Sequence, residues 1–426
     1  MAVLLLTGCS MRTVEQMYQL PKRSEDFSNL QKSIDQSMLG LEFCAPLSGD
    51  NQQTVQMADL DGDGQQEYLV FAKGNMELPL RILVFDRVEG VFLQVDSIES
   101  NGYAFEQVEY VQMDDRPGVE VVVGRQLSDQ LLRSVSVYSF VDGMAEQRIS
   151  ANYTKFVTVD LGRDGMNELF VLRPGQSETD KGVAEVYSMA TGVMERSNEV
   201  NMSEPVDHLK RMFVGRLYGG EAAVFVGSSV EDTALITDIY TMVKGRLTNV
   251  TLSNESGTSI KTMRNYYVYS DDIDNDGVVE LPQLITMIPW ESEADTERQG
   301  LIRWYAMKMD GSEVNKVCTY HNFVGGWYLE LEEQLAPRIT VRCVGSDYEF
   351  YIWDEAYTGH QKLMTVYSLS SQNRDVPVSG RFVLLKTDTV TYAAALEDIA
   401  ADYHITQESL VEDFHLIHHD WKTGEM

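Results

Sequence analysis

Beyond about residue 40 the chain is built of short apolar runs broken by glycine and polar clusters, a pattern that predicts β-strands. The clearest runs are Glu67–Ala72 (EYLVFA), Leu80–Phe85 (LRILVF), Val119–Val123 (VEVVV), Val135–Val141 (VSVYSFV) and Glu168–Leu172 (ELFVL). They are too short and too frequent for a pattern of alternating strands and helices. Ahead of them, Phe27, Leu30, Ile34 and Met38 recur at helical spacing, with Ser24 as N-cap and Gly40 at the stop, so an amphipathic helix is expected over 24–40. At the other end, Ala393–Tyr403 and Gln407–Phe414 read as helical, with Thr406 capping the second, and predict a small helical closing element over 396–426.

The pattern repeats. Residues 59–67 read DLDGDGQQE and lead into a strand; the same phrase returns as DLGRDGMNE at 160–168 and DIDNDGVVE at 272–280. Eroded copies stand between them, MDDRPGVE at 113–120 and VGRLYGGE at 214–221. Each copy is followed by a second apolar run around an aromatic: Val84-Phe85, Val137-Tyr138, Val186-Tyr187, Ile239-Tyr240 and Trp304-Tyr305. The unit is about 53 residues, long enough for four strands and in the range of propellers and solenoids. Division of 41–395 by that unit gives close to seven, so the expected fold is all-β, a seven-bladed β-propeller with six to eight blades allowed. Radial closure would bury both faces of each small sheet. The last blade is expected to take strands from both chain ends, Phe382–Thr387 and Thr389–Ala393 pairing beside a strand near Leu41–Ala45.

Composition narrows the partners. The 426 residues are 43% hydrophobic, enough for a real core, and carry 34 basic against 66 acidic side chains for a net charge of -32. Such a surface repels phosphate backbones, which argues against a nucleic-acid partner, and becomes less costly where carboxylates hold divalent cations. The first ten residues, MAVLLLTGCS, end a short apolar run in Leu6-Thr7-Gly8-Cys9 and resemble a bacterial lipobox. That resemblance implies a signal remnant over 1–8, lipid on Cys9, a tether over 9–23 and an extracytoplasmic protein anchored to the cell membrane. No basic residue precedes the apolar run, so the natural start is expected upstream. With Cys9 lipidated, Cys44, Cys318 and Cys343 remain, an odd number; a Cys318–Cys343 bond is one option.

Carboxylates at positions 1, 3 and 5, glycine at 6 and an acid at 9 set several oxygens around one point, as a calcium loop needs. An EF-hand is excluded, because its twelfth position calls for glutamate and here holds Val70 and Gln283. With strands on either side, the phrase resembles the FG-GAP and VCBS repeats of integrin-α-like propellers. That resemblance implies Ca²⁺ at Asp59, Asp61, Asp63 and Glu67, and at Asp272, Asp274, Asp276 and Glu280. The third copy offers Asp160, Asp164 and Glu168 but has Gly162 where the others have a carboxylate.

Familiar catalytic phrases are missing: there is no G-x-S-x-G, P-loop, H-E-x-x-H or C-x-x-C. His415, His418 and His419 lack partners at metal-ligand spacing and read as polar surface. The aromatic stretch from Tyr266 to Tyr357 supplies candidate binding residues in Trp290, Trp327, Tyr328 and Trp353. The expected function is recognition, binding or scaffolding, with a surface protein or polysaccharide as partner. The alternative is an extracytoplasmic enzyme acting on a polysaccharide at the propeller funnel.

Overall fold

A computed structural model describes residues 25–128, 132–177, 180–190, 192–231, 233–265, 268–290, 299–370, 374 and 378–417. Cys9, His418 and His419 lie outside them. The chain forms two compact units, Met1–Asn152 and Tyr153–Met426. Among the described residues the fold is all-β: six antiparallel sheets of four or five strands succeed one another.

The first unit holds two sheets. In the first, Glu67–Gly74, Leu80–Val88 and Val91–Ser100 run in sequence. The long strand Glu67–Gly74 has two partners on its free side, Val55–Ala58 along its first half and Leu41–Phe43 along its second. The second sheet is a plain meander of Ala104–Val111, Glu120–Gln126, Arg133–Val141 and Met144–Asn152. Leu69, Phe71, Ile82 and Val84 of one sheet share a core with Val108, Val121, Val123 and Tyr138 of the other. The predicted helix spans Glu25–Ser37 and lays Leu30 and Ile34 against Val70, Leu83, Phe85 and Phe92 on the opposite face of the first sheet.

The second unit holds four sheets. The third and fourth are meanders, Lys155–Val159 through Val193–Asn201 and Leu209–Arg216 through Arg246–Asn249. The fifth starts at Glu280–Ile285, continues through Gln299–Met307, Glu313–Asn322 and Trp327–Leu331, and gains the C-terminal strand Phe414–Leu416 at its edge. The sixth runs from Ile339–Val344 to Val390–Leu396, with Phe382–Lys386 outermost. Successive sheets again share cores: Phe170 and Val186 with Val224 and Tyr240, Phe225 and Ile239 with Leu281 and Tyr305, Tyr320 and Trp327 with Phe350 and Val366.

This packing explains the sequence texture. Second and third strands are covered on both faces, as in Glu120–Gln126 and Glu168–Arg173, and read as unbroken apolar runs. Fourth strands form open edges and carry charge, as in Met144–Asn152 and Val193–Asn201. The recurrent aromatic marks a β-bulge: the strand that carries it slips in register against the strand that follows it at Val84/Phe85, Val137/Tyr138, Val186/Tyr187 and Trp304/Tyr305.

Among the described residues there are six sheets, against seven blades expected and six to eight allowed, and no strand is described at 250–265 or 268–279. Two expectations need correction. The two chain ends do not build one sheet: Leu41–Phe43 pairs with Ala72–Gly74 in the first, and Phe382–Lys386 pairs inside the sixth. In the tail, Val390–Leu396 is a strand where helix was expected at 393–396, because pairing to Met364–Ser370 overrides the helix preference of its alanines. A short 3-10 helix over Asp398–Tyr403 and an α-helix over Gln407–Glu412 follow, the latter closed by a capping box of Thr406 and Ser409.

Candidate metal centres in the acidic loops

The loop phrase has one place in the fold. In each of the first four sheets it joins two consecutive strands that pair with each other, Val55–Ala58 and Glu67–Gly74 in the first, and in the fifth it is closed by an isolated bridge between Asp271 and Glu280. The first aspartate folds the turn. Asp59 accepts from the backbone N–H of Gly62 at 2.8 Å and of Gly64 at 3.1 Å. Asp160 does the same for Asp164 and Gly165 (3.2 and 3.0 Å), and Asp272 for Asp276 and Gly277 (3.0 and 2.9 Å). Positions 4 and 6 are left-handed in all three loops: φ is 76° and 85° at Gly62 and Gly64, 60° and 86° at Arg163 and Gly165, 56° and 85° at Asn275 and Gly277. Position 6 is glycine each time because that conformation costs glycine nothing.

The ninth residue is a latch. One carboxylate oxygen of Glu67, Glu120, Glu168 and Glu280 accepts from the backbone N–H of residue 2, Leu60, Met113, Leu161 and Ile273, at 2.7, 2.8, 2.8 and 3.1 Å. Each of those four second residues is itself buried. The other oxygen, Oε1, of both Glu67 and Glu280 is buried without a hydrogen-bond partner. A buried carboxylate oxygen left bare is costly. Burial, helped by Asp61, Asp86 and Asp59 and opposed by the Leu60 N–H, pushes the Glu67 carboxyl up to about 7. Burial, with Asp274 the strongest neighbour, pushes Glu280 up to about 8.

Two groups of acids converge among the described residues. Oxygens of Asp59, Asp61 and Glu67 lie within 4.8 Å of one another, as do oxygens of Asp272, Asp274 and Asp276. Asp63 stands aside, accepting from Gln65 N at 2.7 Å. The third loop forms no such group, and its geometry says why. A Cβ placed on Gly162 would lie 3.0 Å from Glu168 Oε1, so position 3 is where the missing carboxylate would face the latch. Hard oxygen donors with an unsatisfied buried oxygen fit a divalent cation such as Ca²⁺ or Mg²⁺. Gly162→Asp is therefore expected to lower the melting temperature in chelator, through repulsion with Glu168, and to raise it in millimolar Ca²⁺; differential scanning calorimetry in both buffers checks this.

The eroded second loop is compensated from within the chain: Arg116 donates to Asp114 at 2.6 and 2.8 Å. The fifth loop also meets a cation that its own motif does not contain. Lys316 reaches across to Asp276 and lies 3.2 Å from Asp274.

No protein-family model matches the chain, and no curated protein does. Among solved structures it is similar to three rhamnogalacturonan lyases, each at 11% identity. For the exotype enzyme YesX the TM-score is 0.30, covering 76% of this chain and 68% of that one. For the PL11 lyase of Bacillus licheniformis it is 0.31 with 73% and 71% covered, and for YesW 0.28 with 75% and 74%.

The aromatic candidates divide. Trp327 and Tyr328 are buried, which corrects their assignment as exposed binding residues. Trp327 packs on Tyr320, Tyr348 and Phe414, and Tyr328 stacks between His321 and His415 at 5.0 Å from each. The edge strand Phe414–Leu416 pairs with both, a covering that no local pattern around Trp327 reveals. Trp290 and Trp353 remain half-buried and share the ring of His360, each 4.7 Å from it; Trp290 also packs 4.5 Å from Tyr351. The Arg342 guanidinium stands 5.3 Å over Trp290. Cys44, Cys318 and Cys343 are free thiols, so the 318–343 bond is not made.

Proposed function

We propose that this chain is a calcium-binding repeat protein of propeller type, anchored outside the cytoplasm through lipid on Cys9, whose work is recognition. Its sheets serve as blades, and its loops meet a surface protein or a polysaccharide. The observation that carries the calcium reading is the bare, buried Oε1 of Glu67 beside Asp59 and Asp61. A bound ion supplies the missing partner of that oxygen and cancels three converging charges; Asp59, Asp61 and Glu67 hold it, with Asp63 close by in sequence.

Recognition is supported by the half-buried Trp290, Tyr351 and Trp353, grouped around the exposed ring of His360 beneath Arg342. Flat rings with a polar rim suit a sugar face. The same group favours the second reading, an enzyme acting on a polysaccharide. Screening the full chain against surface polysaccharides and peptides, for binding and for turnover together, separates the two. Saturable binding without turnover, weakened about tenfold or more by Trp290→Ala or Trp353→Ala, is the expected result. Turnover abolished by a single carboxylate substitution would replace recognition with catalysis.

A further inference from the structure

The two acidic loops differ in one respect that their shared motif hides. Among the described residues, no Lys or Arg is paired with Asp59, Asp61, Asp63 or Glu67. The fifth loop is different. Lys316, on the strand Glu313–Asn322 of the same sheet, is largely covered and directs its ammonium to Oδ2 of both Asp274, at 3.2 Å, and Asp276. The Oδ1 atoms of these two aspartates already accept backbone N–H groups, of Asp276 at 3.3 Å and of Val278 at 2.9 Å. The ammonium thus takes the oxygens that a metal ion would take. Behind them, Glu280 is fully buried, latched to Ile273 through Oε2 and bare at Oε1. The loop has the donors of a cation site, with a cation of the chain at its mouth.

We propose that Lys316 is a tethered counter-ion that holds the fifth loop in its metal-free form, so that Ca²⁺ enters there only by displacing the ammonium. This rests on the calcium reading and adds a ranking to it. The first loop is the tight site, and the fifth is a weaker site that fills at higher calcium concentration. Displacement breaks two ion pairs of a largely covered lysine and leaves a charged group to be rehydrated. The penalty on calcium affinity for losing these partly covered pairs is on the order of tenfold.

The test is calorimetric titration of the full chain with CaCl₂, comparing wild type, Lys316→Met and Lys316→Gln, each also in an Asp61→Asn background that silences the first loop. Wild type should show one tight and one weaker site. Lys316→Met should tighten the weaker site about tenfold and leave the first unchanged. Thermal unfolding provides a second readout with opposite signs: Lys316→Met should be less stable than wild type in chelator and gain more from calcium. Lys316→Gln, which keeps a hydrogen-bonding head without the charge, should follow Lys316→Met in both and guards against a simple packing defect. Two equal sites in wild type, or a second-site affinity untouched by both substitutions, would overturn the proposal while leaving the calcium reading intact. No calcium binding by any variant would overturn both.

Discussion

Chelating calcium is expected to lower the melting temperature of the full chain, and to do so more at pH 8 than at pH 5. In the metal-free protein the Glu67 and Glu280 carboxyls lie near 7 and 8, above the ordinary carboxylate value of 4.5. A carboxyl raised by folding keeps its proton in the native state where the unfolded chain has lost it. Its contribution is fully present below about pH 4.5 and is lost as pH rises through the native value, so chelated protein should weaken between pH 5 and pH 8. A divalent ion replaces those protons and reverses the slope. At a hundredfold excess over Kd, each site adds about 2.7 kcal/mol, which for domains of this size is a shift of roughly 5–10 °C. Asp61→Ala should remove most of the gain and Asp274→Ala a smaller part. Asp114→Ala should remove none, since Asp114 already pairs with Arg116 at 2.6 Å. Scanning calorimetry across pH 5–8 with and without chelator checks all of this, and identical melting in both buffers would count against it.

The second large effect concerns the strandless segment after Asn249. It is held by Asp238, a fully buried aspartate in the fourth sheet. Asp238 accepts from Ser203 N and Oγ at 2.8 and 2.6 Å, from Asn249 Nδ2 at 2.8 Å and from Ser259 Oγ at 2.5 Å. Four donors converge on one carboxylate, and Ser259 N closes the network by donating to Ser203 Oγ at 2.8 Å. Asp238→Ala leaves these donors buried and unmet, at about 1–3 kcal/mol each before relaxation. A loss on the order of 3–5 kcal/mol is expected, with early proteolytic cutting within 250–264. Urea unfolding with limited proteolysis measures both; a loss below 1 kcal/mol would show that the segment is held by other contacts.

These two regions mark the reach of the sequence. Inner strands were legible because cover on both faces leaves an unbroken apolar run, as in Val121–Val123. Outer strands such as Val193–Asn201 were not, because an exposed edge admits the polar residues of a loop. The acidic loops could be read from spacing alone, since Asp59, Gly64 and Glu67 act within one turn of chain. The latch of Glu67 onto Leu60 N also lies inside that window. Lys316 and Asp238 could not be read so. Lys316 meets Asp276 across 40 residues and Asp238 meets Ser203 across 35, through strand pairings that no local pattern encodes. The same holds for Trp327, buried by a strand that begins at Phe414.

A crystal of the full chain grown in millimolar CaCl₂, with anomalous data collected at long wavelength, tests the central claim most directly. The account predicts a peak in the 59–67 loop at about 2.3–2.6 Å from oxygens of Asp59, Asp61 and Glu67, with Glu67 Oε1 among the ligands. An ordered loop with no peak there, at that calcium concentration and neutral pH, would contradict it.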